Sequence, residues 1–201
     1  EGTLGGNHVI LTQCGIGKVS AAVGASDDTA LFSGLIVSTG VAGGIDACLK
    51  VTDVVASQRL VYHDVWCGDG NEYGQVQGFP ASYEGCPSLL RHALSLNEAG
   101  MESRIHSGLV CTGDRFITNR MELDTIKQRF PGGLAVDMES AAIAQTCHLY
   151  NVPFLSFRII SDTPGVEDHA SQYADFWGTM AELHSSRYGP SSPPFPAIYN
   201  S

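Results

Sequence analysis

The stretch Ala135–Asp162, AVDMESAAIAQTCHLYNVPFLSFRIISD, decides how this chain is read. It runs as a loop, an apolar helix and an apolar strand, with acidic residues at both ends. Asp137 and Glu139 stand where the helix begins, Arg158 lies inside the strand and Asp162 just after it. Charges in such surroundings are costly unless paired or used. A unit that gathers two carboxylates and an arginine around the end of a buried strand builds a polar pocket. The helix is apolar almost all round, through Ala141, Ala142, Ile143, Ala144 and Cys147. Glu139 therefore opens a buried helix, although a first-turn carboxylate favoured by the helix dipole is the plain alternative. Arg158 needs an anion, and Glu139 is the obvious candidate. Asp162 follows the run FLSFRII, a desolvating neighbourhood that suits an acid holding or delivering a proton near neutral pH.

Outward from this unit the chain alternates near-continuous apolar strands with helices. The pattern predicts strands at His8–Cys14, Leu35–Ser38, Asp53–Ser57 with Arg59–His63 after a bend, Ile105–Thr112 and Phe154–Ile160. It predicts helices from about Lys18, over Pro87–Ala99, Met121–Arg129 and Met138–Tyr150, and over about Gln172–Ser185. Trp66–Pro80 reads as a long loop. This is an α/β pattern: three layers, with a central, mostly parallel mixed sheet flanked by helices. Ligands in such sheets bind beyond the carboxyl ends of the strands. Gly15–Gly17, Thr39–Gly44, Gly113–Ile117 and Ser161–Asp162 fall at those ends and converge on one rim. Three glycines within Gly40–Gly44 favour a ligand lying against the backbone.

Gly15-Ile16-Gly17 has the spacing of a dinucleotide fingerprint. The next strand ends in Val37-Ser38-Thr39 without the acidic residue such a site needs, so a tight turn is the better reading. His63 and Asp64 are sequence neighbours pointing to different faces, and a capping role fits them better than a catalytic pair. Asp114 reads as a cap or loop anchor.

The net charge is −10, with 11 scattered Lys and Arg, which excludes a phosphate-tracking nucleic-acid surface. No apolar run reaches the ~18 residues of a membrane span. The cysteines at 14, 48, 67, 86, 111 and 147 form no CxxC pair and have no histidine at ligand spacing. They read as small buried hydrophobes of a reduced cytoplasmic protein, and no metal site is expected. Residues 187–201 contain four of the nine prolines and read as an irregular tail.

Taken together, GIGKVSAA, STGVAGG, VYHD, EYGQ, TGDRFI, AVDMESAAIAQTCH, NVPF and FRIISD resemble the nucleoside phosphorylase and hydrolase superfamily. Within it they resemble the 5′-methylthioadenosine/S-adenosylhomocysteine nucleosidases, in order and spacing from about Gly2 to Trp177. The resemblance implies one nucleosidase domain over residues 1–186, N-terminally incomplete because the family's first strand and its water-activating carboxylate have no match here. It implies release of adenine by hydrolysis of the N-glycosidic bond, with Asp162 donating to the base and Ser161 steadying it. Arg115, Phe116 and Ile117 would hold adenine through backbone groups, with Phe116 stacking on it. Met138 and Glu139 would bind ribose, Arg158 would help hold Glu139 and the attacking water, and Gly43 would lie close to the nucleoside. No cofactor is implied. The implied partners are a small-molecule nucleoside and a second copy in a homodimer. Gln75–Tyr83, with Phe79, Pro80 and Tyr83, is the loop whose aromatic surface points to that contact. The other readings are a purine or uridine nucleoside phosphorylase, a futalosine-type hydrolase, and an inactive ligand-binding relative.

Overall fold

The computed structural model describes residues 1–31, 34–99 and 103–188, with the backbone alone at 28–31, 99 and 180–188. Residues 189–201 of the expected proline-rich tail lie outside the described residues. Arg187 and Tyr188 are not irregular as expected, because the last helix, α5, runs His169–Tyr188.

Eight strands and five α-helices are described: β1 Gly2–Leu4, β2 Asn7–Val9, α1 Lys18–Leu31, β3 Ile36–Gly44, β4 Val54–Tyr62, β5 Tyr83–Glu84, α2 Pro87–Ser95, β6 Ile105–Thr112, α3 Arg120–Arg129, β7 Gly133–Asp137, α4 Ser140–Tyr150, β8 Phe154–Asp162 and α5. A 3-10 turn, Leu96–Ala99, extends α2. Pro87 supplies the fixed φ that starts α2. Asn151, left-handed at φ 55°, ends α4, and Pro153 keeps the chain from continuing it.

The large sheet has the order β5-β4-β6-β7-β3-β8, and β4 also pairs with β8. β3–β8, β4–β6 and β6–β7 run parallel. β3–β7, β4–β8 and β4–β5 run antiparallel. The sheet is therefore mixed, as expected, but five of its strands close on one another instead of lying as an open layer. Closure removes the exposed edges that an open sheet would have to protect. α4 packs on β4, β6 and β8, α1 packs on α4, α2 on β4 and β6, and α5 on β8. The core between them holds fully buried Val55, Leu60, Val110, Leu155 and Ile160.

The bend expected inside β4 is a bulge, with the register to β6 shifting between Ser57 and Arg59. Three other expectations change. Of His8–Cys14 only His8 and Val9 are strand, at the end of β2: β1 and β2 form an exposed hairpin, turned by Gly5 and Gly6 at φ 56° and 82°, the conformation a two-residue hairpin loop demands. Ala135–Asp137 is strand β7, not loop. The glycines of Thr39–Gly44 lie inside β3, and what fills the space beside them belongs to the protein. A Cβ at Gly40 would collide with the Arg158 guanidinium, and one at Gly43 would meet Pro164 and Val136.

All six cysteines are free, but only Cys111 and Cys147 are buried, and burial pushes both thiols up to about 12. Within Gln75–Tyr83 the aromatic residues fold back on the core. Tyr83 is buried against Tyr62, with ring centroids 6.4 Å apart, and Phe79 packs on His148 at 6.3 Å. The exposed aromatic side chain of this region is Trp66 instead, stacked on Tyr73 at 6.0 Å.

Candidate active site

Two polar clusters stand where β3, β7 and β8 end. The first is built on Arg158, which is almost wholly buried. Its Nε lies 2.8 Å from Asp137 Oδ2 and donates to Ser140 Oγ at 2.9 Å. Nη2 donates to Ser38 Oγ at 3.2 Å, and Nη1 stands 3.7 Å from Glu139 Oε2. The principal anion of Arg158 is thus Asp137, the last residue of β7, with Glu139 second. Asp137 also accepts from Thr112 Oγ1 at 2.6 Å and from the Ser140 N–H at 3.2 Å. These bonds tie the start of α4 to the end of β6.

Glu139 is held from the other side by the Gly17 N–H, which donates to Oε1 at 3.0 Å. Gly17 is left-handed at φ 87°, so the Gly15-Ile16-Gly17 turn serves to bring a backbone donor to this carboxylate. Burial pushes the Glu139 carboxyl above its ordinary value, against the pull of Arg158. One backbone donor and a distant guanidinium leave its remaining lone pairs open to hydroxyl groups. Met138, half-buried, sits between the two carboxylates in sequence.

The second cluster is built on Asp162, the buried last residue of β8. Ser161 Oγ donates to its Oδ1 at 2.5 Å. His169 Nε2, at the start of α5, lies 2.8 Å from Oδ2. The His169 ring packs on Phe116 at 5.9 Å, and Phe116 packs on Tyr173 at 5.6 Å. Phe116 keeps 47% of its surface exposed while Ile117 is buried, so the Gly113–Ile117 loop offers one open aromatic face. Arg115 points away from that face to pair with Glu122, and its N–H donates to Gly113 O at 2.7 Å. Gly43 is aligned with Asp162 on one side and with Val136 on the other.

The rim is braced by caps, as the sequence indicates. Asp114 Oδ1 accepts from the Lys18 N–H at 2.7 Å, opening α1. Asp64 accepts from Lys18 Nζ at 2.8 Å and from the Asp114 N–H at 2.9 Å. His63 is buried and burial pushes its pKa down. Its ring faces Gly113, where no Cβ could fit, and it makes no pair with Asp64 among the described hydrogen bonds. A cleft of about 280 Å³ runs between residues 8–14 and β3, with Ser38 and Ile143 in its wall. Among the described residues no group of three or more His, Cys, Asp or Glu could hold a metal ion, and no helix is long and apolar enough to cross a membrane.

The structure thus brings Glu139 to Arg158, Asp162 to Ser161 and Gly43, and, through His169, toward Phe116. It adds Asp137 as the anchor of Arg158 and His169 as the neighbour of Asp162. A closed α/β sheet with an acid, an aromatic face and a braced carboxylate on one rim has the parts of a nucleoside-cleaving site. The chain belongs to the phosphorylase superfamily, whose family model matches residues 1–186. More closely, it is 44% identical over 173 residues to the 5′-methylthioadenosine/S-adenosylhomocysteine nucleosidase of Chromohalobacter salexigens, covering 85% of this chain and 74% of that one. It is 40% identical over 188 residues to the nucleosidase of the same name from Anoxybacillus flavithermus, covering 92% and 80%. The solved nucleosidase of Neisseria meningitidis in complex with methylthio-immucillin-A superposes with a TM-score of 0.83 at 36% identity, covering 87% of this chain and 76% of that one.

Proposed function

We propose that this protein hydrolyses the N-glycosidic bond of 5′-methylthioadenosine and S-adenosylhomocysteine, releasing adenine. The observation that carries the reading is Asp162: a buried carboxyl at the end of β8, steadied by Ser161, whose neighbour His169 packs on the half-exposed Phe116. The names of the similar nucleosidases support it.

Cleaving such a bond leaves positive charge on the sugar and negative charge on the departing base. Asp162 protonates the base, which stacks on Phe116 while backbone groups of Arg115 and Ile117 meet its edge. Gly43 borders the nucleoside through its backbone alone, since Pro164 and Val136 fill its Cβ side. Glu139, with Met138 beside it, takes the ribose hydroxyls and its charge favours the developing cation. Arg158 positions Glu139, and Asp137 in turn holds Arg158. Hydrolysis is favoured over phosphorolysis because Arg158 is already engaged by Asp137, Glu139, Ser140 and Ser38. A cation between two carboxylates has little attraction left for phosphate.

The same reading takes residues 1–186 as one nucleosidase domain, in line with the extent of the family match. It takes the closed sheet as a central layer with helices on either side. It takes the protein as a cytoplasmic homodimer, consistent with six free thiols and an exposed Trp66–Tyr73 stack. The test is adenine release from 5′-methylthioadenosine with and without phosphate. Release independent of phosphate, with a free sugar as product, is expected. A strict phosphate requirement with a sugar 1-phosphate as product overturns it.

A further inference from the structure

We propose that His169 is the proton-supplying partner of Asp162, the two acting as one acid that shares a single proton. The inference rests on the hydrolytic reading and deepens it. His169 is more than nine-tenths buried, with Nε2 2.8 Å from Asp162 Oδ2. Nε2 nevertheless makes no hydrogen bond among the described residues. A buried donor beside a carboxyl, yet not spent on it, is placed to pass a proton as the geometry tightens around a ligand. The inner oxygen of Asp162 is committed to Ser161, so Oδ2 is the oxygen left for exchange.

The surroundings isolate the pair. Phe116 holds the imidazole ring on one side. Of the charged groups on the elements around it, Arg115 is paired with Glu122 on the base-facing loop and α3, and Arg120 with Asp124 on α3. Asp168, next to His169, accepts from Gln172, and Glu167 is exposed. Asp162 is the carboxylate at ion-pair distance from His169 among the described residues.

The step balances on one proton. The scheme starts from an imidazolium at His169, its Nε2 carrying the proton, and a carboxylate at Asp162. The C–N bond breaks with its electron pair on the base. The Nε2 proton moves to Oδ2 and from there to the base nitrogen, leaving neutral imidazole and carboxylate. Water attacks the sugar cation, and the proton it sheds restores His169. His169 acts through Asp162 and is a positioning residue in this scheme.

The experiment compares wild type with His169→Asn and His169→Gln by pH–rate profile, with the adenine dissociation constant as control. Losing the second proton holder should move the alkaline limb of kcat/KM to lower pH by about one unit or more. At about pH 7.5 kcat should fall about 10-fold to 100-fold, part of the ~10²–10⁴-fold worth of a general acid, with adenine affinity changed less than about threefold. An unmoved limb with unchanged kcat overturns the proposal. In the intact protein, ¹⁵N NMR of the His169 ring in wild type and Asp162→Asn is the second measurement. The imidazole titration must move when the carboxyl is replaced, and the same titration in both overturns the pairing. If wild type releases no adenine at all, the hydrolytic reading fails, and the NMR titration then decides the pairing alone.

Discussion

At the scale of single residues, the proposed hydrolysis assigns Asp162 to the base and Glu139 to the sugar. Asp162→Asn keeps shape and hydrogen bonding but cannot donate a proton to the leaving base. Turnover should fall by about 10²–10⁴-fold with an unchanged melting curve, and a variant of near-normal rate sinks the assignment of the acid. Glu139→Gln keeps the acceptor for Gly17 but removes the charge facing the cation. Its kcat should fall by more than its KM rises, by about tenfold or more. Equal binding loss with intact kcat would make Glu139 a ribose anchor only. The same variant carries a stability signature. Burial raises the Glu139 carboxyl above 4.5 in the folded state, so the native protein binds this proton more tightly than the unfolded chain. Wild type therefore loses stability as pH rises from the ordinary carboxyl value through the raised one. Glu139→Gln should melt higher than wild type near pH 8 and no higher near pH 4. The clustering of these side chains was partly legible: Asp162, Ser161, Glu139 and Arg158 stand out as polar residues in apolar runs. The partner of Arg158 was not, because reading Ala135–Asp137 as loop hid that Asp137 ends a strand beside the guanidinium. His169 was invisible for another reason: only a turn that folds seven residues back on β8 sets it against Asp162.

At the scale of elements, legibility followed length and environment. β6 and β8 are eight and nine residues of apolar chain, and the periodicity marks them plainly. β7 has five residues between a glycine pair and a helix, too short for any pattern to outvote its neighbours. β1 and β2 are three residues each and exposed, so no buried face announces them. The helices carry their own stops, and α3 is a case where the stop also braces the sheet. Lys127, in its last turn, donates to Asp46 Oδ2 at 2.9 Å, Pro131 O at 3.0 Å and Gly133 O at 2.9 Å. That contact holds the Asp46 carboxyl down to about 2. A depressed carboxyl stabilises the fold above its unfolded value and loses that contribution as pH falls toward the folded one. Lys127→Met should cost about 1 kcal/mol or less after solvent screening, read as a melting temperature lower by about 2–4 °C near neutral pH. The Asp46 share of the gap should vanish between about pH 4 and pH 2, leaving the share due to the bonds to Pro131 O and Gly133 O. A gap that stays constant across that range removes Asp46 from the explanation.

At the scale of the whole molecule, the alternation of strands and helices gave the α/β class, but the closure of β4 onto β8 is a pairing no local pattern encodes. Assembly is similar. The aromatic residues of Gln75–Tyr83 looked like contact surface, yet Tyr83 and Phe79 turn inward, while Trp66 is 54% exposed over Tyr73. Arg129 lies 3.8 Å from the Tyr73 ring centre and completes the stack. Stacked, exposed aromatic and arginine side chains are favoured interface anchors. The protein should scatter light as a dimer, and Trp66→Ala should weaken that dimer by about tenfold or more in Kd. A wild type that stays monomeric across a concentration series would sink the claim.

Strand β8 closes the ring and also carries Arg158 and Asp162. Its partner β3 comes from far away in the chain: Ser161 and Ala42, which touch, are 119 residues apart in sequence. Contacts of such separation form late and slowly, since the loop-closure entropy is lost before they reward it. The Asp162 end of the site therefore cannot form before β8 docks on β3. During synthesis, every other described strand emerges before β8 can complete the site, and recovery of activity after dilution from denaturant should keep step with the slowest closure of the sheet.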